Sequence, residues 1–446
     1  MILFVKKLQN KKILIIFAFF LFFVLGAHFH KQHLWPFGQG YYLALKDFKK
    51  SFLNNKNKTN LVEQKDSVNL KNEEEIVKKE EEVDRSNIYR TTSHLINVQK
   101  IIDFDFDHFA LFQEQDNEIE IIAIKGNDSI MENLQPLNIY KAKLNLSSGS
   151  FEKKLILQVQ NNLRATDVLV TDNKRIFISY LSVLDDKNGA QKVIELFIND
   201  NKYSFTEIFK TNTYSITGAW VSGGKMIQMN ENEILMGMGD NSRWGYEDNN
   251  YAEINTDFGK SFLININDKT SIRYTKGHRN PQGLVKSDKF IIETEHGPEG
   301  GDEINLIEPN NDYGWPYVSY GAKYYDQYPE TPHDTLFGSH EGYTKPIYAF
   351  IPSIGIKAIE QIPNSQDEFP NWRNDFLICS LKGIFRTKII FDDYPRVVFT
   401  SKLEDKSTFK EPLKKVEGCR DLQITSSGIV LTNNGNLITR KKRENL

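Results

Sequence analysis

Two cysteines in 446 residues exclude a disulfide framework as the main source of stability. Cys379 and Cys419 pair only if the fold brings them together; otherwise they are two small buried thiols. An excess of basic charge is also missing. With 56 Lys and Arg against 59 Asp and Glu the net charge is −3, which excludes the electropositive footprint of a nucleic-acid-binding protein. Beyond residue 85 there is no long helical periodicity, and this argues against a helical bundle. What remains is a long chain, 39% hydrophobic and 12% aromatic, with enough apolar surface to bury a large core.

The one long apolar run is N-terminal. Lys6, Lys7, Lys11 and Lys12 precede residues 13–27, which are almost wholly apolar. The run suits a signal-anchor helix, with a cleaved signal peptide as the alternative, since no clean A-x-A site follows it. Either way the lysines stay in the cytoplasm and the rest of the chain is exported. Residues 1–31 are therefore expected to be a cytoplasmic tail and membrane helix. Trp35, Phe37, Tyr41 and Tyr42 suit the membrane interface that follows. Residues 32–85 form a polar linker ending in LKNEEEIVKKEEEVDR, where charges alternate with few apolar anchors.

From residue 86 to 442 a unit recurs: an apolar strand, a polar turn and a second apolar strand. FALFQEQDNEIEIIAIK begins at Phe109, DVLVTDNKRIFISY at Asp167, KMIQMNENEILMGMG at Lys225 and GLVKSDKFIIETE at Gly283. IKAIEQI with DFLICSL follows from Ile356, and RDLQITSSGIVLTNNG from Arg420. Six copies at roughly 55–75-residue spacing suit four-stranded propeller blades with loops. The last copy lacks room for outer strands, so residues 87–102 are expected to complete it and close the ring. The long insert at residues 322–345 is expected over one face of the propeller.

The densest chemistry lies in residues 277–316. His278-Arg279-Asn280-Pro281-Gln282-Gly283 offers a guanidinium and two amides beside a turn, a set suited to a planar anion. The stretch from Glu295 to Glu303, EHGPEGGDE, offers carboxylates and carbonyls on a glycine-rich loop, the all-oxygen set that hard cations take.

With HRNPQG, HGP, GGDEIN and DYGWP in order, this stretch resembles the signature of the soluble quinoprotein glucose/sorbosone (aldose sugar) dehydrogenases. The resemblance implies an all-β, six-bladed propeller holding pyrroloquinoline quinone (PQQ) and calcium. It implies that Arg279, Asn280 and Gln282 line the cofactor, and that the carbonyls of Gly297 and Pro298 hold the calcium beside it. Lys382 in SLKG and Arg420 in CRD match basic residues that pair with cofactor carboxylates. Glu303 and Tyr313 resemble ligands of a second, structural calcium. Each residue also has a plainer reading: an ion pair for Arg279, tight turns for the glycines, a strand cap for Glu303, core packing for Trp315 and Pro316.

Two departures stand out. The family's base histidine precedes a pair of glycines and a basic residue. Here Gly223, Gly224 and Lys225 are in place, with Gly239-Asp240 downstream, but the base position is Val221. Valine accepts no proton, and losing a general base typically costs about 10²–10⁴ in rate. In the second departure Gly418 stands where the family has one of two cofactor-pairing arginines. Asp240 and His296 are the residues placed to substitute for the base. Two functions follow: a PQQ- and calcium-dependent sugar or alcohol dehydrogenase passing electrons to an extracytoplasmic acceptor, or a propeller binding a carbohydrate or envelope component without turnover.

Overall fold

The computed structural model describes residues 88–90, 95–126, 134–186, 188–200, 202–215, 221–241, 256–322, 335–366, 368–403 and 418–440. The expected signal-anchor helix and charged linker lie outside these residues. Among the described residues no helix is long and apolar enough to cross a membrane.

The described chain is almost entirely antiparallel β-sheet, arranged as six blades. Blade 1 comprises His108–Gln115, Glu118–Lys125, Leu137–Asn145 and Phe151–Val159. Blade 2 comprises Asn162–Val170, Ile176–Val183, Asn188–Asn199 and Lys202–Lys210, and blade 3 Gly223–Asn230, Glu233–Met238, Lys260–Asn265 and Ser271–Lys276. Blade 4 is built from Pro281–Ser287, Phe290–Glu295, Asp302–Leu306 and Tyr348–Phe350, and blade 5 from Ile356–Gln361, Phe376–Ser380, Gly383–Phe391 and Pro395–Lys402. The repeat seen in the sequence is the inner hairpin of each blade. The turn is polar because it faces water, and both strands are apolar because they pack between neighbouring blades.

Blade 6 is assembled from both ends of the chain. Leu422–Ile424, Val430–Thr432 and Asn436–Arg440 pair in sequence, and Leu95–Lys100 adds to Asn436–Arg440 with Val98 opposite Ile438. Ile88–Arg90 then pairs with Leu95–Lys100. The N-terminal segment thus covers an edge that three short strands would leave open.

Apolar side chains fill each seam. Leu431 and Leu437 of blade 6 cluster with Phe109, Ile119 and Ile121 of blade 1. Ile96, Val98 and Ile438 join Leu377 and Cys379 of blade 5. Near the axis the inner strands approach so closely that a Cβ at Gly224 of blade 3 would collide with Thr166 of blade 2. Cys379 and Cys419, left open by the sequence, form a disulfide with Cα atoms 5.1 Å apart, tying blade 5 to the start of blade 6. In the loop after blade 4's third strand, Val318–Ser319 pairs in parallel with Leu336–Phe337; residues 323–334 of the expected insert lie outside the described residues.

If the N-terminal strand holds the ring, emptying its core position should be expensive. Ile96 is fully buried, whereas Ile102 is 78% exposed. Ile96→Ala should cost about 2–5 kcal/mol, and Ile102→Ala should stay within about 0.5 kcal/mol, both measured by urea unfolding. Equal effects would show that the closing strand carries no stability.

Candidate functional site

The inner strands converge on a cavity lined by residues at the start of every blade. Blade 1 supplies His108, blade 2 Arg164 and Thr166, blade 3 Lys225, blade 4 Gln282, blade 5 Lys357, and Arg420 stands just before blade 6. Apart from Thr166, each of these lies within two residues of the start of an inner strand. Six strands that begin at one axis bring together side chains remote in sequence, which is how a propeller builds a site from its repeats.

The lining is cationic. Lys357 Nζ donates to Gln282 Oε1 at 2.7 Å. Burial, then the nearby guanidiniums of Arg164, Arg420 and Arg279, press its pKa down to about 7, with Asp302 opposing. Like charges forced together in a partly desolvated space are unfavourable unless an anion joins them. The cavity floor has the opposite sign. Lys225 Nζ lies 2.8 Å from Asp167 Oδ1 and 3.1 Å from Asp421 Oδ2. Burial works against that ammonium, but the two carboxylates outweigh it and hold its pKa above the usual lysine range. Glu360 is pushed up to about 8 by burial and by Asp421.

Several residues singled out in the sequence meet here. Gln282 and Arg420 line the cavity. Asn280 Oδ1 accepts from Gln282 Nε2 at 2.8 Å and from the Gly223 amide at 3.3 Å, so Asn280, Gln282 and Lys357 form one chain along the wall. Arg279 is buried and lies 5.5 Å over the Trp315 ring. Its Nη1 donates to the carbonyls of His296 and Gly297, both at 2.8 Å, while Nε is buried with no acceptor among the described residues. Trp315, read as core packing, is buried but also donates its indole N–H to Asp240 at 2.6 Å.

The turn that aims Arg279 is anchored by His278, whose Nδ1 lies 3.0 Å from Glu293 and 3.1 Å from Glu295. Burial disfavours its charge, but these carboxylates prevail and raise its pKa to about 10. Glu295 also accepts the Arg279 and Asn280 amides. Tyr313 stacks on His278 with centroids 4.7 Å apart, and its hydroxyl donates to the Leu306 carbonyl.

Other predicted residues stand elsewhere. Lys382 is exposed, outside the lining, with Nζ donating to the Ser353 carbonyl. Glu303 is buried against His340 Nε2 at 2.8 Å. His296 Nδ1 sits 3.0 Å from the Gly297 carbonyl and 3.4 Å from Asp302. Burial, reinforced by Lys357 and Arg279 and opposed by Asp302, lowers its pKa to about 4, so it is neutral at pH 7. Val221 is buried, and its carbonyl accepts the Asn241 amide at 3.0 Å. Gly418 is exposed with its amide on the Leu381 carbonyl.

The residues fit the two implied groups unequally. A planar polycarboxylate suits the crowded cations, the amides of Asn280 and Gln282, and the unpartnered Arg279 Nε. Calcium needs six to eight oxygens at about 2.3–2.6 Å. The Gly297 carbonyl already accepts from a guanidinium and an imidazole, and the Pro298 carbonyl accepts the Gly301 amide at 3.4 Å. As arranged these carbonyls do not fit a calcium ion, whose entry would require Arg279 to withdraw. Glu303, expected at a second calcium, is likewise engaged by an imidazole.

Arg164, Lys357 and His108 were not singled out in the sequence. The available signal was positional: aligning the six hairpins places each at the start of an inner strand, beside Gln282 and Arg420.

Comparison with known proteins agrees with this architecture. Residues 165–437 match the family model described as Glucose / Sorbosone dehydrogenase. The chain is 24% identical over 231 residues to aldose sugar dehydrogenase YliI of Escherichia coli K12, covering 47% of this chain and 59% of that protein. It is 51% identical over 47 residues to quinoprotein glucose dehydrogenase B of Acinetobacter calcoaceticus, about 10% of each chain. The chain thus spans little more than half of the first relative. A crystal structure of a glucose dehydrogenase superposes with a TM-score of 0.60 at 20% identity, covering 78% of this chain and 99% of that one. The apo-form E. coli aldose sugar dehydrogenase gives 0.58 at 19%, covering 78% and 100%.

The crowding at Lys357 has a measurable consequence. Its pKa is depressed on folding, so the unfolded chain binds more protons between about pH 7 and 10.5 and stability rises with pH across that window. Lys357→Met should therefore stabilise the unliganded protein most at and below pH 7, the gain fading towards pH 10. Urea midpoints measured across that range would check this; a gain independent of pH would show that Lys357 is not under electrostatic pressure.

Proposed function

Because the chain belongs to the glucose/sorbosone dehydrogenase family, we propose that it is a PQQ-dependent dehydrogenase acting on a sugar or related alcohol. The observation that carries this reading is the convergence of Arg164, Lys357 and Arg420 on one cavity beside a neutral amide wall. Three carboxylates on a planar cofactor would match the positive charge gathered there. Arg164 and Lys357 take the pairing role that Gly418 cannot fill. Gln282, held by Lys357 and Asn280, orients the bound molecule, and Arg279, stacked on Trp315, presents its unpartnered Nε as a further donor. When bound, the quinone accepts two electrons and a hydrogen from the substrate carbon. Lys225, which lines the cavity, is held by Asp167 and Asp421.

An extracytoplasmic site is part of the proposal. The lysine-flanked apolar run at residues 13–27 and the Cys379–Cys419 disulfide support it, since disulfides persist in oxidising compartments. Electrons would then pass to an acceptor on that side. A fusion reporter active only outside the cytoplasm, joined after residue 440, should be active; a silent, stable fusion would overturn the placement.

Val221 favours a second reading, a propeller that binds a carbohydrate or envelope component without turnover. Full-length protein incubated with PQQ, with and without calcium, separates the two. The dehydrogenase reading expects bound-cofactor absorbance and aldose-dependent dye reduction. Lys357→Met or Arg164→Ala should weaken cofactor binding about 10–100-fold, the loss of one charge-assisted hydrogen bond. Uptake without turnover would favour the second reading, and no uptake would remove the first.

A further inference from the structure

We propose that His108 is the general base of this site, positioned by Asp421 and replacing the function lost at Val221. The inference rests on the dehydrogenase reading above. His108 opens the inner strand of blade 1 and lines the cavity, with its side chain 15% exposed. Its Nδ1 lies 2.9 Å from Asp421 Oδ2, a residue 313 positions away that is buried at the start of blade 6.

Lys225 decides the protonation pattern. Its ammonium sits between Asp167 and Asp421, 3.1 Å from the Asp421 oxygen that faces the imidazole. Burial opposes the charge on Asp421, but Lys225 and His108 outweigh it and keep that carboxyl below its usual range. An ionised carboxylate can only accept, so Nδ1 carries the hydrogen and Nε2 keeps its lone pair. Lys225 Nζ is also 3.2 Å from Nδ1. The opposite tautomer would use that contact, yet it would set the Nδ1 lone pair against the anionic oxygen, whereas Lys225 already has two carboxylates. Among the described residues Nε2 has no protein partner. A cavity-lining imidazole with one nitrogen fixed by a buried carboxylate and the other without a protein partner has the arrangement of a proton acceptor.

The residues named from the sequence for this task are differently engaged. Asp240 accepts the Trp315 indole N–H. His296 turns Nδ1 to the Gly297 carbonyl and is not part of the cavity lining. In the proposed step the substrate O–H proton moves to His108 Nε2. Bound PQQ, held by Arg164, Lys357, Arg420 and Gln282, would supply the two-electron acceptor for the C–H hydrogen and its electron pair, so that the substrate C–O bond would become a carbonyl. The imidazolium then returns its proton to water.

The test uses full-length protein in two independent arms. In PQQ-loaded protein His108→Gln should lower kcat about 10²–10⁴-fold, leave cofactor uptake within about threefold, and recover part of the rate with added imidazole. Without cofactor, nitrogen-15 NMR of the wild type should show His108 with hydrogen on Nδ1, and Asp421→Asn should shift it towards the other tautomer. A His108→Gln enzyme that keeps its rate overturns the proposal alone, as does a wild-type Nε2–H tautomer. Wild-type uptake without turnover also overturns it while leaving cofactor binding intact. Absence of uptake in the wild type removes the dehydrogenase reading and this assignment with it.

Discussion

Pairing of Leu95–Lys100 with Asn436–Arg440 makes the beginnings of six inner strands neighbours. A propeller blade has no chemistry of its own; its inner strand presents one or two side chains to the axis, and only a closed ring sets them facing one another. Closure also supplies the apolar seam between blades 6 and 1, where Phe109 and Ile121 meet Leu431 and Leu437. Between the same two blades Asp421 reaches His108. The contact that orients this imidazole therefore depends on chain ends that join only in the finished fold.

Charge inside the ring is layered. Arg164, Lys357 and Arg420 crowd the cavity wall, while Asp167, Asp421 and Glu360 gather around Lys225 below. In a medium of reduced dielectric each layer would be unfavourable alone. The lower layer is compensated within the protein, because Lys225 bridges two carboxylates at hydrogen-bond distance. In the upper layer Asp107 is the carboxylate among the lining residues, and Asp302 acts on Lys357. The lining is thus richer in cations than the layer around Lys225, the feature on which the proposed anion site rests.

Arg279 has a position unlike the one its signature suggested. It lies on Trp315 and donates to the two carbonyls that follow Glu295, so a guanidinium occupies the place where the resemblance expected a metal. The buried His278 with Glu293 and Glu295 locks the turn that aims it. The cations that line the cavity come from blades 2, 3 and 5 and the start of blade 6, and the lining imidazole, His108, comes from blade 1.

Local patterns determined much of this protein in advance. Apolar alternation and polar turns, repeated six times, are sufficient for the blades, since a hairpin's burial is written in neighbouring residues. The shortage of strand at the C-terminal end pointed to closure by residues 87–102 for the same reason. Contiguous text also carried the family signature of residues 277–316 and the valine at position 221, where the resemblance expects a histidine. Tertiary structure alone decided which cations face one another, that Cys379 and Cys419 join, that Arg279 covers the Gly297 carbonyl, and that His108 meets Asp421. These pairs are distant along the chain and have no periodicity. Their meeting depends on the angle at which six separately folded sheets come to share an axis.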